Sequence, residues 1–332
     1  MNRREFINGT TLATSAALLG VRPSPVAAAE PPPETTRLRF GHVGAICAAP
    51  GFVAEELFAA EGFTDIQYIK VRSVPEITQV MAAGETDLGM QTILPTVMRL
   101  DAGDPLVLLA GVHVGCYELF GTERVHSIHD LKGKRVAIGA MGGGDHAYIS
   151  IMAAYVGLDA KKDIEWVAHP PAESKKLLAE RKIDAYIAFP PDTQELRRKR
   201  IGRVVVATAT DRPWSQYFCC MALGNREFVR KNPVATKRFL RALLKATDVC
   251  ALEPDRAARS LLEKGYTTSE YAGQVLKELP YQKWREYDPA DTVRFAALRL
   301  HEVGMIKSSP QKIIAQGTDW RFLNELRKEL KG

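Results

Sequence analysis

Beginning at residue 38, short apolar runs rich in Val, Ile and Leu alternate with stretches whose apolar positions recur at helical spacing. Residues 38–43, 66–71, 87–90 and 106–112 read as strands, with helices over 51–60, 74–83 and 93–100 between them. The pattern then restarts, with strands over 135–139, 164–168, 185–189, 204–208 and 218–223 and helices over 145–155 and 172–180. Repeated strand–helix units imply mainly parallel sheets with helices on both faces. Asn232-Pro233 reads as an N-cap with proline at N1. It opens a helix with Phe239, Leu243 and Cys250 near one face, and helical segments continue to the end.

The restart predicts an α/β protein of two doubly wound lobes joined by a two-stranded hinge, with a helical C-terminal tail. Residues 37–114 and 218–332 form lobe one, residues 115–217 form lobe two, and linkers fall near 114–122 and 212–223. A cleft between two such lobes is a natural ligand site and closes by hinge motion.

The 332 residues are 46% hydrophobic and 25% charged, which excludes a disordered or fibrous chain. No apolar run reaches the ~18 residues of a membrane-spanning helix. The net charge is +6. Arg3, Arg4 and Arg22 against Glu5 place +2 of that in residues 1–29, leaving +4, a mild excess that indicates no nucleic-acid partner. Residues 1–29 divide into a basic stretch with the twin Arg3-Arg4, a diluted apolar stretch over 10–21, and small residues at 26–29. This resembles a twin-arginine (Tat) signal peptide cleaved after Ala29, which implies export to the periplasm. No cysteine lies near the cleavage site to carry a lipid. Residues 30–36 are a stiff, proline-rich leader. Of the cysteines, Cys47, Cys116, Cys219, Cys220 and Cys250, an odd one must remain unpaired within the chain. Adjacent Cys219 and Cys220 cannot bridge without strain, so no disulfide framework is expected.

Four phrases carry a family resemblance. Residues 81–90, with Gly84 and Asp87, resemble an "L-x-x-G-x-x-D-x-G" signature. Residues 130–137 resemble the strand that opens a second lobe. Residues 180–185 resemble an "l-x-x-G-x-D-A" signature with Arg181-Lys182 where glycine is usual, and residues 225–233 resemble the lead into a long helix. Their order is similar to that of ABC-transporter periplasmic substrate-binding proteins of the nitrate/sulfonate/taurine type, the cluster-II fold. The resemblance implies a monomeric protein without a cofactor. It would capture a small organic or inorganic anion-like solute (sulfonate, nitrate or related) and deliver it to an inner-membrane ABC permease.

Ligands of doubly wound lobes sit beyond the carboxyl ends of strands, so the strand–helix loops supply the candidates. Residues 44–50 either admit backbone N–H groups to a ligand or pack tightly, and Cys47 is either a contact or a small hydrophobe. Gln91 and Thr92 stand at a strand–helix junction, where Thr92 either touches ligand or caps the helix. The run Gly142-Gly143-Gly144-Asp145-His146 exposes successive N–H donors at a helix start. Its Asp145, where relatives carry hydroxyls, either caps the helix or selects a ligand with an amino or amide group. Phe189, Tyr117 and Trp214 are aromatic candidates that either stack on ligand or close the core.

A zinc reading of His113-x-x-Cys116 or His126-x-x-His129 is set aside, because residues three apart in extended chain point to opposite faces. The basic run at 196–200 reads as a solvated helix end. The rival to a binding protein is an enzyme resembling sulfinate desulfinases, with Cys47 as nucleophile. That reading needs a neighbouring cation or base to lower the thiol pKa: Arg72-Ser73 follow the next strand, while His42, on the strand itself, is expected to point into the core, and the export signal argues against the reading.

Overall fold

The computed structural model describes residues 30–330, so the export signal expected over residues 1–29 lies outside the described residues. Its contacts divide the chain at Pro33, and everything below concerns residues from there on.

Two five-stranded sheets organise the chain. The first runs β2-β1-β3-β10-β4, built from β1 (Arg37–His42), β2 (Asp65–Lys70), β3 (Leu88–Thr92), β4 (Leu106–Val114) and β10 (Phe218–Asn225). The second runs β7-β6-β8-β5-β9, built from β5 (Glu118–Gly121), β6 (Lys134–Ile138), β7 (Ile164–Ala168), β8 (Ala185–Ala188) and β9 (Arg203–Ala207). The two share one plan. A first strand pairs in parallel with two neighbours, β1 with β2 and β3, β6 with β7 and β8. One inserted strand then runs antiparallel to both its partners: β10 between β3 and β4, β5 between β8 and β9. Each inserted strand comes from the far side of a crossing between sheets, which is why it opposes the rest. The fold is the α/β two-sheet architecture of periplasmic binding proteins, with helices filling the C-terminal region.

β4 and β10 are buried along their whole length, which explains their near-continuous apolar sequence. Gly111 of β4 has no side chain because the Phe218 ring of β10 lies where its Cβ would be. Gly115, where the chain leaves the first sheet, has φ +46° and passes against the backbone of Ala209. Both the left-handed conformation and the close approach require glycine there.

Three expectations change. Glu118–Gly121, read as linker, is the inserted strand of the second sheet; four residues beginning with a glutamate are too few to reveal alternation. The single helix expected over 51–60 is two, Ala49–Val53 and Glu55–Ala60, meeting at Ala54. Asp192–Lys199 is a full helix, of which the sequence had shown only the basic end.

Candidate functional site

The loops after β1 and β3 meet the start of β5 and the end of β8 around a cavity of about 40 Å³. Cys47, Gln91, Thr92, Tyr117 and Phe189, chosen from the sequence as contacts, all line it, together with Phe40, His42, Cys116 and Cys220. Cys47 lies in a turn of 3-10 helix (Ile46–Ala48) after β1. Tyr117 packs against Tyr148 with ring centroids 4.5 Å apart and against Phe189 at 5.8 Å, making an aromatic wall. The lining contains neither Lys nor Arg.

The polar groups at the end of β3 are largely committed to each other. Gln91 donates from Nε2 to the Val74 carbonyl, and its Oε1 accepts the backbone N–H of Thr92 at 2.6 Å and the Thr92 hydroxyl at 3.1 Å. Thr92 stands at the N-cap position of the helix Ile93–Asp101, yet its hydroxyl makes no cap bond. Burial keeps His42 below the usual imidazole pKa, with Lys70 adding to the effect, so His42 enters the cavity wall as a neutral ring.

The glycine-rich loop precedes the helix Gly144–Tyr155, and Gly144 abuts the aromatic wall: a Cβ there would lie 3.1 Å from Pro95 and 3.9 Å from the Tyr117 hydroxyl. Its amides face inward onto the chain itself. The Gly139 N–H donates to the Asp145 carboxylate, Gly142 N–H to His146 Nδ1 at 3.0 Å, and Gly143 N–H to the Ala140 carbonyl at 3.1 Å. Asp145 turns its carboxylate onto the N–H groups of Gly139 and His146. His146 itself lines a separate depression with Ser150 and Lys161, and Trp214 lines another, with Tyr217 and Phe295.

Sequence reasoning missed what surrounds Cys47. Its sulfur, a ring nitrogen of His113 and the Cys220 sulfur lie within 4.8 Å of one another, all buried. Cys116 and Cys219 bring their sulfurs to 3.2 Å, and the Tyr148 hydroxyl lies 3.7 Å from Cys219 Sγ. The expectation that His113 and Cys116 point apart is corrected in its consequence. Each meets partners from elsewhere in the chain, His113 facing Cys47 and Cys220, and Cys116 facing Cys219. Spacing within one segment could not reveal this, because β10 and the loop after β1 supply the remaining thiols. Hydrogen bonding from the Cys116 and Cys220 thiols holds the Cys47 thiol well below the ordinary cysteine range. All five cysteines are free. Cys250 lies apart, and burial alone pushes its thiol up.

Two sheets of this plan, with a cavity where their loops meet, define a periplasmic-binding-protein fold. The chain belongs to the NMT1-like family, whose profile matches residues 31–263. It is similar to the nitrate/nitrite binding protein NrtA of a Nostoc species, 23% identical over 248 residues, covering 68% of this chain and 56% of that one. The chain thus spans little more than half that relative's length. It is also similar to a 4-amino-5-hydroxymethyl-2-methylpyrimidine phosphate synthase of Saccharomyces cerevisiae, 24% identical over 252 residues, with 71% of each chain covered. The crystal structure of the periplasmic nitrate-binding protein NrtA from Synechocystis superposes with a TM-score of 0.75 at 16% identity, over 91% of this chain and 90% of that one. The motifs that suggested the nitrate/sulfonate/taurine type of binding protein agree with these matches.

Proposed function

We propose that this chain is a periplasmic solute-binding protein that captures a small organic solute and hands it to an inner-membrane ABC permease, performing no chemistry itself. It acts as a monomer, exported by the twin-arginine signal. Residues 37–114 with 218–332, and 115–217, act as two lobes that open and close on the solute. One observation supports this above others: residues from the loops of both sheets converge on a single cavity whose walls are aromatic, aliphatic and thiol-bearing. The cavity lining holds neither Lys nor Arg, and the Gly142 and Gly143 amides are already bonded to His146 Nδ1 and the Ala140 carbonyl, so a bare inorganic anion has little to bind. Once the lobes open to admit it, a flat, mostly uncharged organic body suits these aromatic and aliphatic walls better than nitrate or a simple sulfonate. Native mass spectrometry of the mature protein, followed by thermal-shift screening of heterocycles, amides, sulfonates and nitrate, tests the assignment. A ligand at 100 times its Kd adds about 2.7 kcal/mol, enough to raise Tm by several degrees. Stabilisation by nitrate alone would overturn the choice of solute class.

A second reading is supported by the lowered thiol of Cys47, which lines the cavity with His113 behind it. In this reading Cys47 is the nucleophile of a desulfinase-like enzyme. Consumption of an aromatic sulfinate by the wild type and not by Cys47→Ser, with no ligand found in the thermal screen, would give this reading priority.

A further inference from the structure

We propose that Cys47, His113 and Cys220 form a binding site for a thiophilic d10 cation, zinc(II) or copper(I), at the floor of the cavity. The inference rests on the solute-binding reading only for what completes the coordination. Three observations carry it.

The first is convergence. Two sulfurs and an imidazole nitrogen from three separate parts of the chain lie within 4.8 Å of one another among the described residues. Tetrahedral zinc, with Zn–S about 2.3 Å and Zn–N about 2.0 Å, sets its ligand atoms roughly 3.5–3.8 Å apart. Small side-chain rotations close that gap.

The second is the state of His113. Its Nδ1 lies 3.3 Å from the Val114 carbonyl and 3.2 Å from the Gly115 carbonyl, two acceptors that fix the proton on Nδ1. Nε2 then carries a bare lone pair, in a side chain with no solvent exposure, and it has no hydrogen-bond partner. A buried acceptor left without a donor is costly. A ring whose Nδ1–H is held by backbone carbonyls and whose Nε2 is free has the arrangement of a metal-ligating histidine. The Tyr281 ring, 5.5 Å from that of His113, and its hydroxyl, which donates to the Cys47 carbonyl at 3.1 Å, keep both ligands in place.

The third is the chemistry of the set. Two thiolates neutralise a divalent cation, and thiolate with imidazole selects zinc or copper(I) over harder ions. Cys47 and Cys220 both line the cavity, as does Cys116, while His113 lies behind them. The fourth position therefore opens toward Cys116 or toward the cavity, where a solute could coordinate directly. A thiol cluster holding two sulfurs at 3.2 Å would also be guarded from oxidation by a bound cation.

The test uses the full chain purified without chelator, with metal content read by mass spectrometry and affinity by competition against a chromophoric chelator. The wild type should hold about one zinc or copper per chain. Cys220→Ser and His113→Gln should each bind at least about tenfold more weakly, while Cys250→Ser, remote from the cluster, should bind as the wild type does. Cobalt(II) substitution should give a sulfur-to-metal charge-transfer band that disappears in Cys220→Ser. Should His113→Gln fail to fold, His113→Cys supplies a thiolate in its place and should retain zinc. Copper(I) uptake without zinc, lost in the same variants, supports the site for the softer ion. No uptake by folded wild type, or equal uptake by wild type and Cys220→Ser, overturns it. Solute binding is scored separately by thermal shift with and without metal, so either reading can fail alone.

Discussion

The Asp87 carboxylate accepts the backbone N–H of Arg39 at 2.9 Å while pairing with the guanidinium of the same residue. Asp87 also donates its own N–H to the Arg39 carbonyl at 2.9 Å, locking β3 to β1 where the pairing begins. The second sheet repeats the device: Asp184 accepts the N–H of Arg135 at 2.9 Å and donates its own to the Arg135 carbonyl at 2.8 Å. These are the aspartates of the two signature phrases, so the signatures mark a structural lock and not a ligand contact. With Asp87 only 3% exposed, Asp87→Ala leaves a strand N–H and a guanidinium without their partner. It should cost about 3 kcal/mol in urea unfolding with an unchanged m-value. A loss below about 0.5 kcal/mol would refute the lock.

The lock also shows how far the sequence could be read. Strand and helix order, the restart after residue 134 and part of the cavity lining followed from local pattern, because parallel strands buried on both faces write themselves as apolar runs. What stayed hidden was non-local. β5 is specified by its neighbours β8 and β9 more than by its own residues. The thiol cluster is assembled from the loop after β1 and from β4 and β10, segments far apart in the chain. Asn232 sits at the N-cap of the helix Pro233–Leu252, as Asn-Pro suggested, but its side chain donates instead to the Phe228 carbonyl at 3.0 Å.

The cap for that helix arrives from the leader. Both Glu34 carboxylate oxygens accept backbone N–H groups of the first turn, Val234 and Ala235, each at 2.9 Å. A carboxylate there satisfies two orphan donors and complements the helix dipole. Glu34→Ala should destabilise the protein by about 1 kcal/mol, and Glu34→Gln by less. Equal melting temperatures for wild type and Glu34→Ala would exclude the cap's contribution.

His42 and His146 predict the acid limb of stability. Burial lowers both pKa values, with Lys70 assisting at His42 and Asp145 opposing at His146. In the unfolded chain both titrate near the ordinary value of about 6.5. As pH falls through that value the unfolded state takes up protons that the folded state does not. Stability is therefore full above about 6.5 and lost as pH falls below it, at about 1.4 kcal/mol per pH unit for each fully differential proton. His42→Gln should make the limb between about pH 6.5 and 5 shallower; an unchanged limb would assign the loss to other groups.

Within the cavity, Phe189→Ala removes one face of the aromatic wall and should weaken solute binding about tenfold by calorimetry. Tyr155→Ala, half exposed and outside the cavity lining, should leave affinity unchanged. Equal losses in both variants would move the solute away from Tyr117 and Phe189.

The last prediction concerns closure. The basic run at the end of Asp192–Lys199 is not simply solvated. Arg197 pairs with Glu278, which also accepts from Gln194 at 2.9 Å, and Arg198 pairs with Glu270 at 2.9 Å while lying over the Tyr271 ring at 5.7 Å. These contacts join a helix between β8 and β9 to the segment after β10, across the proposed opening. Exposed pairs contribute little singly, about 0.2–1 kcal/mol, but they exist only when the two sides meet, so their whole effect falls on the open–closed balance. Glu278→Ala should shift that balance by up to about 1 kcal/mol, weakening solute affinity up to about fivefold and enlarging the solute-free radius of gyration in small-angle scattering. Global stability should change little, because Glu278 is bonded at the surface. If affinity and scattering both stay as in the wild type, the Arg197–Glu278 contact does not act as a latch.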